Sequence, residues 1–493
     1  GAWSLCSGCW INYHKAAADC GTLCGGTQRM GGETMKKRIL AWGAASLLLA
    51  SSLAACGPKA TTETEKKAES GKASEAASEK AEGASEDEAL KADLKLYTYP
   101  IGKWGDSASV DSLLQNFNAK YPDIHVTVEY LDYQSGDDQV NTAIEGNAAP
   151  DLIMEGPERL VANWGAKGLM VDLADLFEDD AAKDIYSNVV EACKSSEGKY
   201  YEYPLAMIAH CMAINKTAFE NADALQYLDL DNHTWTTENF FKAVKALHDK
   251  GQENVAAVYC GGQGGDQGTR ALVNNLYGGK FTNKEHTEYA VDSSENAQAL
   301  EELTKAEGIN FDPALVGGDE ITLFRNGTLA MSLCWNSAQQ NNKDNGEAGK
   351  TNNGDEIIPM LFPAKDGKAE LCGGIWGFGI FDNGDENKVK AAKVFIRFMA
   401  NDAEQAKLSV QTTGFFPVHK DLTDVYEGTE NAETMKLFTE KFMPSFGDYY
   451  QVTPGWATAR TEWWNMLQRI GQGGDVKTEL TTFQTNANAA AKA

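Results

Sequence analysis

The sequence predicts an α/β fold over residues 93–493, and two observations carry that prediction. Short runs alternating apolar with polar residues recur between stretches whose apolar residues fall at i, i+3, i+4 and i+7. Strand, helix and strand also follow one another at a length that suits a right-handed parallel crossover.

Leu94, Leu96 and Thr98 alternate with Lys95 and Tyr97, which reads as a first strand. Val110, Leu113, Leu114 and Phe117 share one helix face, and Tyr121-Pro122-Asp123 stops that helix. Ile124, Val126, Val128 and Tyr130 alternate with His125, Thr127 and Glu129 as a second strand. Val140 to Glu145 is helical and ends at Gly146; Asp151 to Met154 is a short buried strand; Leu160 to Ala166 is a helix ended by Gly168. Trp235-Thr236-Thr237-Glu238 opens a helix whose Phe240, Val244 and Leu247 share a face, closed at Gly251. Ala391, Val394, Phe395, Phe398 and Met399 form another apolar stripe.

The first ninety residues read differently. Met35-Lys36-Lys37-Arg38 is a positive start, and Ile39 to Ala50 is an apolar run too short to span a bilayer stably. Leu53-Ala54-Ala55-Cys56-Gly57 then resembles the bacterial lipoprotein signal. The resemblance implies a signal peptide over 35–55 and a lipid on the Cys56 Sγ, which becomes the mature N-terminus. Residues 56–92 are rich in Ala, Glu, Lys and Ser, with almost no large apolar side chain, and read as a flexible tether. Residues 1–34 are read as an upstream mis-start of the gene. Their Cys6, Cys9, Cys20 and Cys24 are accordingly not taken as a zinc knuckle.

The formal net charge of −27 would repel nucleic acid. Cys193, Cys211, Cys260, Cys334 and Cys372 are odd in number and lack CxxC spacing, so buried free thiols are expected. The seven histidines form no HExxH or tight pair, and no metal or other cofactor is expected.

Seven segments in order resemble the family 1 extracellular solute-binding proteins of ABC importers, the maltose-binding-protein-like group. They are NAKYPDIHVTVEY, Ala143–Phe177, Tyr200–Ala222, TWTTENFFKAVKAL, Leu323–Trp335, Gly373–Phe381 and Phe395–Val418. The resemblance implies a periplasmic-binding-protein-like α/β fold: two lobes joined by crossover hinge strands, with a ligand cleft between them. Lobe one would be 93–203 with 363–420, and lobe two 206–362 with 421–493. The implied function is capture of a carbohydrate, an oligosaccharide by expectation, and its delivery to ABC permease subunits, without catalysis. A monomer tethered to the extracellular face of the membrane of a Gram-positive bacterium is expected.

Sugars offer C–H faces that stack on aromatic rings and hydroxyls that need hydrogen-bond partners. Trp335 after the AMSLC strand, Trp376 in the Gly-Gly strand and Trp456 in Pro454-Gly455-Trp456 match aromatic cleft positions of the family. Glu158 and Arg159 match an acidic–Arg pair after a strand end, and Glu155 stands where the maltose binder has an aromatic. Lys103 and Trp104 follow the first strand, His210 flanks the lobe crossing, Gln263 and Asp266 lie in a glycine-rich loop, and Tyr449 precedes Trp456. A secreted glycoside hydrolase, with two carboxylates about a scissile bond, and a non-transport carbohydrate sensor or adhesin on the same fold remain alternatives.

Overall fold

The computed structural model describes residues 90–493 except residue 345. Cys56, the signal segment and nearly all of the tether lie outside the described residues. The eleven strands in chain order are β1 (Ala92–Thr98), β2 (Ile124–Tyr130), β3 (Leu152–Glu155), β4 (Tyr203–Ala209), β5 (Cys211–Asn215), β6 (Ala256–Tyr259), β7 (Ile309–Asp312), β8 (Met331–Trp335), β9 (Ile357–Met360), β10 (Gly373–Ile380) and β11 (Phe416–Pro417).

One lobe holds a six-stranded sheet in the order β11-β4-β10-β3-β1-β2. β1 is parallel to β2 and β3, and β10 runs antiparallel to β3 and β4. The predicted first helix, Ser107–Lys120, starts at Asp106, whose side chain accepts from the Ser109 amide. Its Val110, Leu113, Leu114 and Phe117 are all buried. Phe117 packs against Phe395 and Phe398 of the helix Glu386–Asn401, with ring centroids 5.2 and 5.6 Å away. The predicted stripes thus meet each other over the sheet.

The other lobe carries an antiparallel sheet β8-β5-β9 and the parallel pair β6-β7, with the amides of Ala330 and Met331 bonded to the Val255 carbonyl just before β6. The helix Thr237–Asp249 is capped by Thr236, and its Phe240, Val244 and Leu247 are buried as the periodicity predicts. All five described cysteines are buried, and none of them forms a disulfide with another described residue. Among the described residues, no helix is long and apolar enough to cross a membrane.

The chain crosses between the lobes three times. The first crossing falls at His210, between β4 and β5, and not at 203–206 as expected, because β4 stays paired with β10 as far as Ala209. The second returns from β9 to β10 and the third leaves after β11. The helix expected over 160–166 is instead a π-helical turn, Leu160–Gly165. Gly165 takes the Tyr201 ring against its backbone; a Cβ there would sit 2.4 Å from Tyr201 Cδ2. Such turns widen a helix where another group must approach closely.

Candidate functional site

β3 ends at Glu155, where Gly156-Pro157 turns the chain into the helical turn Pro157–Arg159. Proline suits that first position, since its missing N–H would be unbonded there anyway. The turn presents Glu158 and Arg159 at the end of the sheet, where ligands of open α/β folds bind. Arg159 Nε donates to Asp137 Oδ1 at 2.7 Å, and Nη1 lies 3.8 Å from Glu155 Oε2. Its guanidinium sits over Tyr99 at 4.9 Å and Tyr133 at 5.6 Å, and the Tyr99 hydroxyl donates to Asp137. Arg159 is therefore anchored on its own lobe. Burial pushes the Glu155 carboxyl up to about 7 against the pull of Arg159. Glu158 is also raised, chiefly by burial, although the Tyr449 hydroxyl donates to its Oε1 at 2.6 Å. Glu202, just before β4, is fully buried with neither carboxylate oxygen hydrogen-bonded. Burial and then the charges of Glu158 and Glu155 hold it well above the usual carboxyl range.

The facing wall comes from lobe two. Gly265, with φ of 75°, lets the loop after β6 turn into the helix Asp266–Tyr277. A Cβ there would lie 2.6 Å from Cys334 Sγ. Asp266, 2% exposed, opens that helix and is gripped by Arg270 one turn on and by Arg460, whose Nη2 and Nε lie 2.7 and 2.9 Å from its oxygens. Burial raises its carboxyl, but Arg270 and Arg460 outweigh burial and hold it below the usual range. Trp456 begins the helix Trp456–Gly471 after Gly455, itself at φ 73°. Its half-buried ring lies 4.9 Å from the Arg270 guanidinium, beside Tyr450. Arg270 Nε in turn donates to the Tyr450 hydroxyl at 3.1 Å. At the crossing, His210 is pushed down to about 3 by burial and then by Arg270, so it is neutral near pH 7.

Residues 443–452 fasten the lobes to each other. Gln451 Nε2 donates to the Gly373 carbonyl at 2.8 Å, and Asn188 Nδ2 donates to the carbonyls of Phe446 and Gly447 at 2.7 and 3.0 Å. The Glu158–Tyr449 bond joins them across the seam. Beside this strap a groove of about 1610 Å³ is lined by Tyr186, Tyr201 and Glu191 on one side and by Lys284, His286 and Asp448 on the other.

The structure thus brings Glu155, Glu158, Arg159, His210, Asp266, Tyr449 and Trp456 to one inter-lobe seam. Three expected cleft tryptophans lie elsewhere, in the core. Trp335 is fully buried, edge-on to Phe324 at 5.4 Å and under Arg325 at 5.0 Å, with Nε1 donating to Gln340. Trp376 is fully buried and stacked on Phe415 at 4.6 Å. The glycine beside it makes room for the indole itself: a Cβ on Gly374 would lie 2.4 Å from the Trp376 ring. Trp104 is fully buried, with Nε1 donating to the Ser409 carbonyl at 3.1 Å. Lys103 is exposed on the short turn Gly102–Gly105. Gln263 is exposed as well, and only its carbonyl reaches Arg460, at 3.4 Å.

Sequence reasoning missed Glu202, Arg270 and Arg460. A lone carboxylate inside the aromatic and apolar run YYEYPLAMIA was a usable signal for Glu202. Arg270 and Arg460 each fall four residues after a residue already singled out, Asp266 and Trp456, hence on the same helix face.

Buried carboxyls make stability depend on pH, Glu155 and Glu320 among them. Glu155 is raised to about 7, and Glu320 to about 8, chiefly by burial and despite bonds from Ser332 Oγ and the Leu333 amide. A carboxyl raised in the folded state takes up a proton on folding. Its stabilisation is whole below the ordinary range near 4.5 and is lost as pH rises through 7 and then 8. The melting temperature should therefore fall across that window, and Glu320→Gln should flatten its upper part. A melting temperature that is constant or rises there contradicts the burial described for both groups.

A family model described as bacterial extracellular solute-binding protein matches residues 101–406. Cyclic alpha-maltosyl-1,6-maltose binding protein from Arthrobacter globiformis superposes with a TM-score of 0.65, covering 82% of this chain and 99% of its own, at 17% identity. The GacH receptor of Streptomyces glaucescens, solved unliganded and in complex with acarbose, gives 0.60 over 82% and 98% at 14% identity. UgpB from Mycobacterium tuberculosis, in complex with glycerophosphocholine, gives 0.59 over 82% and 99% at 18% identity. At these identities the likeness is one of fold. A curated relative, an uncharacterized lipoprotein in the oleD 5′ region of Streptomyces antibioticus, is 26% identical over 153 residues, 30% of this chain. The match spans about a third of that relative's length, 32%.

Proposed function

Because the chain belongs to the bacterial extracellular solute-binding protein family, we propose that it is the receptor subunit of an ABC importer and captures a carbohydrate, an oligosaccharide, between its lobes. The observation that carries this reading is the stock of unmet hydrogen-bonding atoms along the seam. Glu155 Oε2, both Glu202 oxygens, Gln267 Oε1 and Trp456 Nε1 are buried without partners. Buried polar groups in a folded protein are nearly always paired, and those that are not mark a place for water or ligand. A hydroxyl-rich guest supplies such partners from one molecule, and Trp456 offers a half-exposed indole for a sugar face. The ligand-binding proteins named above, with acarbose and with a cyclic maltosaccharide, favour a saccharide on this fold.

A solute held by both walls favours the closed arrangement by the difference in its affinity for the closed and open states. The closed form then meets the permease subunits. On this reading the protein is a monomer held on the extracellular face of a Gram-positive membrane by lipid on Cys56, with a tether that lets the lobes reach the transporter.

A thermal-shift screen against mono- and oligosaccharides tests the reading. A true ligand at a hundredfold excess over its dissociation constant stabilises the fold by about 2.7 kcal/mol. A broad sugar panel that leaves the melting temperature unmoved would discredit carbohydrate capture. The adjacent carboxyls Glu155 and Glu158, both raised in pKa, also suit the acid and base of a glycoside hydrolase. Release of product from an oligosaccharide by the purified protein would decide for that second reading.

A further inference from the structure

Carboxyl groups outnumber cationic groups along the seam. Five carboxyl groups lie there, Asp137, Glu155, Glu158, Glu202 and Asp266, against three guanidinium groups, Arg159, Arg270 and Arg460. Two of the arginines are spent on Asp266. The third is spent on Asp137 and leans toward Glu155. No lysine is ion-paired to Glu155, Glu158 or Glu202 among the described residues. His210 is neutral near pH 7 and brings no compensation.

The hydrogen-bond inventory is lopsided in the same sense. Both oxygens of Glu202 are buried without a hydrogen-bond donor, and Glu155 Oε2 is buried without a hydrogen bond, with only the Arg159 guanidinium 3.8 Å away. The strand register explains how these two side chains come to share a face. Gly377 of β10 pairs with Glu155 on one side and with Pro204 on the other, and Glu202 lies two residues before Pro204. Gly377 lets the β4 backbone come close, since a Cβ there would lie 2.1 Å from the Tyr203 carbonyl oxygen, and Glu202 feels the charges of Glu158 and Glu155. The turn carrying half-exposed Glu158 stands in front of them. An uncompensated carboxylate in such a place needs either a proton or a cation.

We propose that the carbohydrate taken by this seam carries a basic amino group, which binds as an ammonium beside Glu158, with Glu155 and Glu202 behind it. The proposal rests on the carbohydrate reading above and narrows it to amino-bearing saccharides. An ammonium brings three donors and no acceptor, together with the missing positive charge, whereas each sugar hydroxyl brings one donor, no charge and further acceptors. Among the described residues no three His, Cys, Asp or Glu side chains are placed to hold a metal ion, so an organic cation fits the seam better than an inorganic one.

Isothermal titration of the full chain with the β-1,4-linked glucosamine trimer and the matching N-acetylglucosamine trimer tests this. The amine-bearing trimer should bind at least about tenfold more tightly, a difference of about 1.4 kcal/mol. Glu158→Gln, at a half-exposed position, should erase most of that preference. Glu202→Gln, checked for native circular dichroism, should reduce it without removing saccharide binding. Equal or tighter binding of the N-acetylated trimer overturns the proposal and leaves carbohydrate capture standing. So does binding of a neutral saccharide from the thermal-shift panel with neither trimer bound. A Glu202→Gln variant that alters only the pH dependence of stability, with the trimer preference unchanged, shows that protons alone balance the charge and likewise overturns it. Failure of every saccharide, charged or neutral, removes the carbohydrate reading itself.

Discussion

Replacing Trp335 by alanine should cost the fold about 3–5 kcal/mol, the range for deleting a fully buried large aromatic. The indole lies at the end of β8, paired across from Cys211 at the start of β5. It is packed by Phe324 and Arg325 and bonded through Nε1 to Gln340. Alanine removes the ring, opens a cavity and orphans the Gln340 oxygen in one step. Such a loss is a large share of the total stability of an ordinary domain, about 5–15 kcal/mol. Urea denaturation measures it directly. Trp456→Ala provides the contrast, since that ring is only partly buried and should cost the fold less. If Trp335→Ala unfolds at the wild-type urea midpoint while losing saccharide affinity, Trp335 serves the ligand and not the core.

Asp266→Ala should destabilise by a similar amount, about 3–5 kcal/mol, for an electrostatic reason. Asp266 is the shared counter-charge of two buried guanidiniums, Arg270 at 1% and Arg460 at 5% exposure. Without it, both cations stay in the interior without their counter-charge, and only the Arg270 bond to Tyr450 and the Arg460 bond to the Gln263 carbonyl remain. The helix Asp266–Tyr277 also loses the negative group at its first turn, where the helix dipole favours one. Asp266→Asn keeps an acceptor and should lose less. Adding Arg270→Met to Asp266→Ala should restore part of the loss, giving a coupling energy between the two sites. A midpoint for Asp266→Ala within about 0.5 kcal/mol of wild type would mean the arginines find other partners or reach water, as at an ordinary surface site.

The two tests bear on residues that the sequence placed with unequal success. The turn Gly156-Pro157-Glu158-Arg159 was legible because a strand end followed by Gly-Pro can do little other than turn at the sheet's edge. Asp266 was legible as part of a glycine loop after a strand, though its role was not. It meets two arginines where a solute hydroxyl was expected. Trp104, Trp335 and Trp376 lie in the core because indole is both the best sugar platform and the bulkiest core filler. Composition cannot tell which use a given ring serves.

By itself the sequence determined what depends on neighbours along the chain. The periods of two and of 3.6 set the strands and helices, Thr236 caps the helix that its segment was read to open, and the order of seven segments marks the family. Only the tertiary structure decided which face each strand turned to the seam and how the lobes were fastened. Glu158 meets Tyr449 across 291 residues, and Glu202 comes to share a face with Glu155 through a glycine on a third strand. Burial, charge balance and unmet hydrogen bonds are properties of such meetings between distant segments. No local pattern of residues encodes them.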